Sequence, residues 1–255
     1  MPRFLEDGRR RLVVVAIAAA AVVAVVLLAA WPAGSHRAPT VYGASSLRTV
    51  LPALDGAPQY SFAGSDVLQT QIEHGAPADV FASASAKQPQ ALFAEGRCDR
   101  PVTFATNRLV LVVPDGAAAV RGLASLRSGG LRLAVGTAGV PVGAYTRTLL
   151  DALGQSAVLE RNRVSAEKDV ASVLAKVALR SADAGFVYHT DALAARGRVR
   201  EIALPDGQPP VTYQLCAVRR DGADRDGAAA FIGHVTGPEG RRALARAGFG
   251  LPPRG

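Results

Sequence analysis

The segment FAGSDVLQTQIEHGAPADVF, residues 62–81, has the pattern of a turn followed by a short helix. Ser65 is a residue type that favours the N-cap position, and Leu68 and Ile72 lie one turn apart on one face. A glycine and a proline follow where such a helix should end. Gly64 permits a close approach to the helix N-terminus, where Ser65 sets a hydroxyl beside unpaired N–H groups. This arrangement is typical both of an ordinary cap and of an anion site.

Strand and helix signals alternate along the rest of the chain. The predicted strands are TVYGAS (40–45), QYSFAG (59–64), ADVFAS (78–83), NRLVLVVP (107–114), LRLAVG (131–136), AGFVY (184–188) and VTYQLCAV (211–218). Helical patterns lie between them, so the order predicts βα units and mostly parallel sheets. Two runs of this kind predict two α/β lobes, one formed by residues 40–114 with 211–255 and the other by residues 115–210.

The N-terminal part of the chain has a different composition. Residues 1–11 are basic, and residues 12–31 form an apolar run long enough to cross a membrane as a helix. The arginines before the run predict a cytoplasmic N-terminus, with Trp31 at the outer interface. The run ends in a poor cleavage site, so we expect a retained transmembrane anchor followed by a linker over residues 32–39. A cleaved signal, which would leave a secreted or periplasmic protein, is the alternative.

The formal net charge of +8 comes from scattered arginines. No basic stripe interleaved with aromatic residues, no zinc spacing and no nucleic-acid module accompanies that charge, so nucleic acid is not an expected partner. The four histidines have no metal-ligand spacing, which argues against a metal site. Cys98 and Cys216 fall in the part predicted to lie outside the cytoplasm, where they either form a disulfide or remain two buried thiols.

The turns after the predicted strands offer hydroxyls and backbone N–H groups and contain no lysine or arginine. In open parallel sheets, ligands bind at the carboxyl ends of strands, against helix N-termini. Three such turns are residues 43–46, 64–65 and 140–143. The start of the helix for which Ser165 is the expected cap and the end of strand 184–188 are two further positions of this kind. Neutral donors that converge on a cleft suit a small, fully ionised oxyanion, because each hydrogen bond to a charged partner contributes about 1.5–3 kcal/mol.

Seven stretches, in consistent order and spacing, carry a resemblance to a known family. They are VYGASSL (41–47), FAGSDVLQTQIEHGAPADVFASAS (62–85), FATNRLVLVVP (104–114), VPVGAYTRTLL (140–150), EKDVASVL (167–174), DAGFVYHTDA (183–192) and AAAFIGHVTGPEGRRALARAGFG (228–250). From about Thr40 to Gly250 the chain resembles the molybdate-binding proteins of ABC transporters, which are periplasmic-type solute-binding proteins. The resemblance implies two α/β lobes joined by two crossover strands, with the ligand held in the cleft by neutral donors.

The resemblance also implies the anion-binding residues and the biological role. Ser46 and Ser65 would contribute hydroxyl and N–H groups, Val142 and Val170 backbone N–H groups, and Tyr188 its phenol. The implied protein is not an enzyme and needs no cofactor. It would act as a monomer that delivers molybdate or tungstate to the permease subunit of an ABC transporter.

The resemblance bears on the two cysteines as well. If the strands at 107–114 and 211–218 are the family's crossover strands, they run antiparallel and adjacent to each other. Cys216, late in the second strand, then lies near the start of the first, a short loop away from Cys98. The resemblance thus makes a Cys98–Cys216 disulfide possible.

One departure from the family and three other functions stay open. Asp66 stands where a small residue is more usual, and if it pointed inward it would favour a protonated anion such as hydrogen phosphate over a dianion. Sulfate and phosphate are therefore alternative ligands. SAEK (165–168) matches the Ser-x-x-Lys motif of serine acyl enzymes, although the companion motifs are absent. A membrane-tethered sensor domain is the last alternative, and the lack of a signalling domain before the anchor argues against it.

Overall fold

Residues 37–208 and 210–252 are described by the computed structural model. The predicted basic N-terminus, the predicted anchor at residues 12–31 and most of the predicted linker lie outside these ranges. Inside them, no helix combines the length and the apolar character that crossing a membrane requires.

The described chain forms two sheets with helices packed on them. The strands are β1 (Thr40–Ala44), β2 (Gln59–Ala63), β3 (Val80–Ser83), β4 (Val102–Asn107), β5 (Leu109–Pro114), β6 (Arg132–Gly136), β7 (Arg163–Glu167), β8 (Ala184–Tyr188), β9 (Val199–Ile202) and β10 (Val211–Ala217). The α-helices are α1 (Val50–Leu54), α2 (Ser65–Glu73), α3 (Lys87–Ala94), α4 (Pro141–Ala152), α5 (Ala157–Arg161), α6 (Val170–Ala178), α7 (His189–Ala194), α8 (Arg225–Thr236) and α9 (Pro238–Arg246). Short 3₁₀ turns occur at Ser45–Leu47 and Leu123–Ser128.

Each sheet defines one lobe. The first has the strand order β2-β1-β3-β10-β4, in which β1 is parallel to β2 and β3, and β10 is antiparallel to both neighbours. The second has the order β7-β6-β8-β5-β9, in which β6 is parallel to β7 and β8, and β5 is antiparallel to both neighbours. The two lobes thus share one topology, with an inner antiparallel strand in each sheet.

The observed division of the lobes differs from the predicted one at residue 114. The predicted strand 107–114 begins with the last residue of β4 and continues as β5. β5 pairs with β8 and β9 of the second sheet, so the chain crosses between lobes at Arg108. It returns to the first sheet between β9 and β10. All six residues of β5 are buried because this strand lies inside its sheet with both faces covered.

Apolar periodicity explains how the helices pack. In α6, Val170, Val173 and Val177 recur at helical spacing and are buried. In α2, Leu68 and Ile72 are buried in a cluster that also contains Phe81. Burial of each such side chain stabilises the fold by roughly 1.5–3 kcal/mol. The loops at the strand ends are therefore flanked by helices and strands that are packed into the core.

Candidate functional site

One small cavity between the lobes is lined by all five residues that the resemblance implied: Ser46, Ser65, Val142, Val170 and Tyr188. The serines follow β1 and β2 of the first sheet, the valines follow β6 and β7 of the second, and the tyrosine ends β8. Each residue lies at the carboxyl end of a parallel strand, where open α/β sheets bind ligands. Four of them are almost fully buried, Ser46 being the partly exposed one.

The structure corrects the predicted role of Ser65 as a helix cap. Gly64 is the N-cap of α2, and Ser65 is the first residue of the helix. Ser65 is 1% exposed, and its Oγ accepts a hydrogen bond from the N–H of Ala84 at 3.1 Å. That bond uses a lone pair and leaves the hydroxyl proton available to a ligand in the cavity.

Ser46 lies in the 3₁₀ turn after β1, with its Oγ 2.9 Å from Oη of Tyr213. Tyr213 is fully buried in β10, and its ring contacts that of Tyr188 edge-on, with the centroids 6.0 Å apart. Because either hydroxyl can donate, Ser46 can accept from Tyr213 and present its own proton to the cavity. Sequence reasoning missed Tyr213, since an aromatic residue inside a strand has no local feature that separates it from ordinary core residues.

The backbone N–H of Val142 lies in the first turn of α4, where N–H groups have no intrahelical acceptor. Two glycines let this turn approach β6. A Cβ atom on Gly143 would lie 1.9 Å from the carbonyl oxygen of Thr137, and one on Gly136 would lie 2.7 Å from a methyl carbon of Val142. Neither position has room for a side chain, so the two glycines fix the N-terminus of α4 over the end of β6.

Val170 begins α6, and the N-cap of this helix is Asp169. An oxygen of the Asp169 side chain accepts the N–H of Ser172 at 2.7 Å. The N–H of Val170 belongs to the same first turn and has no intrahelical acceptor, so it can donate to a ligand at the cavity wall. Asp169 also lines the cavity, which sequence reasoning did not anticipate.

The predicted cap Ser165 has a different position and different partners. It lies in β7, where its Oγ donates to Glu167 at 2.6 Å and accepts from Lys176. Lys176 forms an ion pair with Glu167 at 2.8 Å. Lys168, the lysine of the Ser-x-x-Lys match, is not among the partners of Ser165 in the described part of the chain, so the motif does not form a nucleophile and base pair.

The phenol of Tyr188 is buried, and its oxygen has no hydrogen-bond partner within the described residues. Burial, with smaller contributions from Tyr213, Tyr145 and Asp191, raises the pKa of Tyr188 well above its usual range. The group therefore stays protonated and neutral. A buried hydroxyl without a partner is unfavourable by about 1–3 kcal/mol, and a ligand that accepts its proton would remove that penalty.

The two lobes touch beside the cavity, at Gly64. A Cβ atom on Gly64 would lie 2.5 Å from the carbonyl oxygen of Lys168 in the other lobe. Asp66, the residue that departs from the family pattern, does not line the cavity. A Cβ atom on Gly139 would lie 3.1 Å from one of its carboxylate oxygens, so this carboxylate faces the Gly139 turn of the second lobe.

Asp191 is a buried carboxyl group near the site, and it accepts the backbone N–H of Tyr188 at 3.2 Å. Burial raises the pKa of Asp191 to about 7; the Tyr188 hydrogen bond opposes this rise and the charge of Asp169 adds to it. An aspartate in an unfolded chain has a pKa near 3.9. Between these two pKa values the folded protein keeps a proton that the unfolded chain has lost. The free energy of unfolding therefore falls as pH rises from about 4 to about 7.

Replacing Asp191 with asparagine should flatten that dependence. An asparagine side chain cannot titrate, yet its amide oxygen can still accept the N–H of Tyr188. Relative to the original protein, the Asp191→Asn variant should gain stability between about pH 4.5 and about pH 8, as measured by urea denaturation at both values. Asp206→Asn, at an exposed position, is the control and should not gain. Equal pH dependence of the Asp191→Asn variant and the original protein would contradict the expectation.

Two lobes of matching topology, with neutral donors from both converging on a cavity between them, define a solute-binding protein. The family model for bacterial extracellular solute-binding proteins matches residues 56–250, and the chain belongs to that family. These proteins bind and carry solutes and are not enzymes.

Two relatives and one solved structure show which kinds of solute-binding protein the chain is similar to. The chain is 36% identical over 234 residues to the molybdate-binding protein ModA of Mycobacterium tuberculosis, a match that covers 88% of each chain. It is 33% identical to ModA of Escherichia coli, covering 82% of this chain and 88% of that one. The structure of the periplasmic molybdate-binding protein of Azotobacter vinelandii superposes with a TM-score of 0.75 and 25% identity, covering 84% of this chain and all of that one.

Proposed function

We propose that this protein binds molybdate in the cavity between its lobes, outside the cytoplasm, and delivers it to the permease of an ABC transporter. Tungstate, which has nearly the same size and charge, is the second ligand of the same site. The protein acts as a monomer. The names of the relatives support this choice of anion.

The observation that carries the proposal is the unpartnered phenol of Tyr188 in a cavity lined by other neutral donors. Hydroxyls of Ser46 and Ser65 and first-turn N–H groups of Val142 and Val170 complete the set. A dianion can accept from all of them, and hydrogen bonds to a charged partner contribute about 1.5–3 kcal/mol each. The backbone nitrogens of Val142 and Val170 have no free lone pair to offer a cation. These hydrogen-bond donors therefore favour an oxyanion.

Calorimetric titration of the full-length chain in a non-ionic detergent tests the proposal. Molybdate and tungstate should bind far more tightly than sulfate or phosphate. Tight binding of phosphate would instead indicate that a carboxylate accepts its proton, and Asp169 at the cavity wall is the group that could do so. No binding of any of the four anions would refute the proposed function.

The apolar run at residues 12–31 is proposed to remain in the protein as a membrane anchor. The full-length chain should then stay in the membrane fraction after washing with high salt. Mass spectrometry of the N-terminus is the measurement. A soluble species that begins between residues 32 and 40 would show that the run is a cleaved signal.

Cys98 and Cys216 are proposed to pair when the domain reaches an oxidising compartment. Both are buried free thiols in one cluster, and an isolated β-bridge joins Cys98 to Val218, two residues beyond Cys216. A hydrogen bond with Cys98, together with burial, raises the pKa of the Cys216 thiol. Exchange with a disulfide of another protein would remove two protons and two electrons from the two thiols. The disulfide of that other protein would be reduced to a dithiol.

Thiol titration of unreduced, denatured protein from the extracytoplasmic fraction measures the pairing. The expected result is no free thiol before reduction and two after it. Two thiols titrated before reduction would show that the cysteines remain unpaired.

A further inference from the structure

The anion cavity has no cationic side chain among its described lining residues, and the helix N-termini that face it attract a dianion only at short range. Its lining, as far as the structure describes it, consists of small, hydroxyl-bearing and apolar residues, together with Tyr188 and Asp169. Asp169 repels an approaching anion, and the neutral donors act only at contact distance. The cavity therefore attracts a dianion only at short range.

A larger groove adjoins the cavity and shares Ser45 and Ser46 with it. This groove has a volume of about 510 Å³ and is lined by Arg48, Arg198 and Arg246. Arg48 follows the 3₁₀ turn of the first lobe, Arg246 ends α9 in the same lobe, and Arg198 precedes β9 in the second lobe. Three positive charges from both lobes thus surround one opening beside the cavity, which we call the arginine groove.

The three side chains of the arginine groove are exposed and form no ion pair or side-chain hydrogen bond with any described residue. Other arginines are paired: Arg132 with Asp183, Arg219 with Asp99, and Arg220 with Asp79. Among the described residues that line the groove, only Asp191 is acidic. Three arginines against one carboxyl group give this described lining a net positive charge.

We propose that the arginine groove is the encounter site for the anion: Arg48, Arg198 and Arg246 attract small oxyanions and raise the rate at which they reach the cavity, without contacting the bound ligand. This inference rests on the proposed function. Clefts that carry one sign of charge raise the association rates of opposite charges by about 10 to 1,000-fold, and salt screens the effect over roughly 8–10 Å. In this arrangement the charged groove attracts the anion, and the neutral donors of the cavity select and bind it.

Stopped-flow kinetics of molybdate binding to the full-length chain in non-ionic detergent test the inference, with tyrosine emission as the signal because Tyr188 lines the cavity. In the R48Q/R198Q/R246Q variant the association rate constant should fall about tenfold at low ionic strength, with an unchanged dissociation rate constant. The difference should shrink as sodium chloride is raised towards about 1 M. The association rate constant of the original protein should itself fall with salt.

A matched control removes the same charge elsewhere. Arg100, Arg121 and Arg196 are also exposed and do not line the groove. The R100Q/R121Q/R196Q variant should keep an association rate close to that of the original protein. Thermal melts verify that both triple variants are folded.

Three results would overturn the inference while molybdate binding persists. One is equal slowing by both triple variants, which would mean that net charge alone matters. Another is a raised dissociation rate constant in the groove variant, which would mean that the arginines hold the bound anion. The last is an association rate of the original protein that does not depend on salt. Absence of molybdate binding to the original protein would refute the proposed function itself, a distinguishable outcome.

Discussion

Replacing Gly64 with alanine should weaken anion binding at least about 100-fold, because the added methyl group keeps the lobes apart. The new Cβ atom would lie 2.5 Å from the carbonyl oxygen of Lys168 in the opposite lobe, and both groups are backbone-anchored. An ordinary contact needs about 1 Å more, whereas N–H···O hydrogen bonds need distances of about 2.7–3.2 Å. Loss of two donors from one lobe at about 1.5–3 kcal/mol each accounts for the expected change in affinity, measured by calorimetric titration with molybdate.

The backbone at Gly64 has φ −62° and ψ 141°, which alanine adopts without strain. Within its own lobe the new Cβ atom would lie 2.7 Å from Oδ1 of Asp66, the end of a side chain that can rotate away. Thermal melts should therefore show little loss of stability. Gly233→Ala in α8 is the matched control, since a Cβ atom there meets nothing within 4 Å. That variant should bind as the original protein does. Molybdate affinity unchanged in the Gly64→Ala variant would mean that contact at this point is not required for binding.

The fold was predictable mainly from its buried strands, although the edge strand β2 was also predicted. Strands inside the sheets, such as β5 and β8, are continuous apolar runs, and their order was enough to predict two α/β lobes. The strands that the sequence did not reveal, β4, β7 and β9, all lie at sheet edges. Their residues are mixed in polarity because one side of the strand faces solvent, so no apolar run marks them.

Site residues that directly follow a predicted strand could be predicted from the sequence. Site contacts between residues far apart in the chain could not. Ser65 lines the cavity because it follows the parallel strand β2, a feature visible in the sequence, whereas Val170 follows β7 and was implied only by the family resemblance. Their caps were misassigned, since Gly64 and Asp169 are the N-caps and a serine beside a helix start is only a statistical signal. The contact between Ser46 and Tyr213, 167 positions apart, has no local signature at all.

Replacing Ser65 with aspartate should abolish oxyanion binding and leave the protein folded. A carboxylate at this position can accept the N–H of Ala84, which Ser65 Oγ accepts now, and a negative charge in the first turn of α2 is favourable to the helix dipole. The same charge in a 1% exposed position at the cavity wall repels a dianion strongly, since little water screens it. Calorimetric titration with molybdate should show no heat of binding, and the thermal melt should remain cooperative.

Ser65→Asn separates charge from shape, because asparagine and aspartate have almost the same volume. The asparagine oxygen can accept the N–H of Ala84 while its NH₂ group donates to the anion, so this variant should retain measurable binding. Ser65→Ala removes the donor and leaves the Ala84 N–H unpaired, which should weaken binding about tenfold to 100-fold and destabilise the fold by about 1–3 kcal/mol. If the Ser65→Asp variant bound molybdate with normal affinity, the anion would have to lie in a different cleft. Equal loss in the Asp and Asn variants would instead assign the effect to volume, since charge is what distinguishes them.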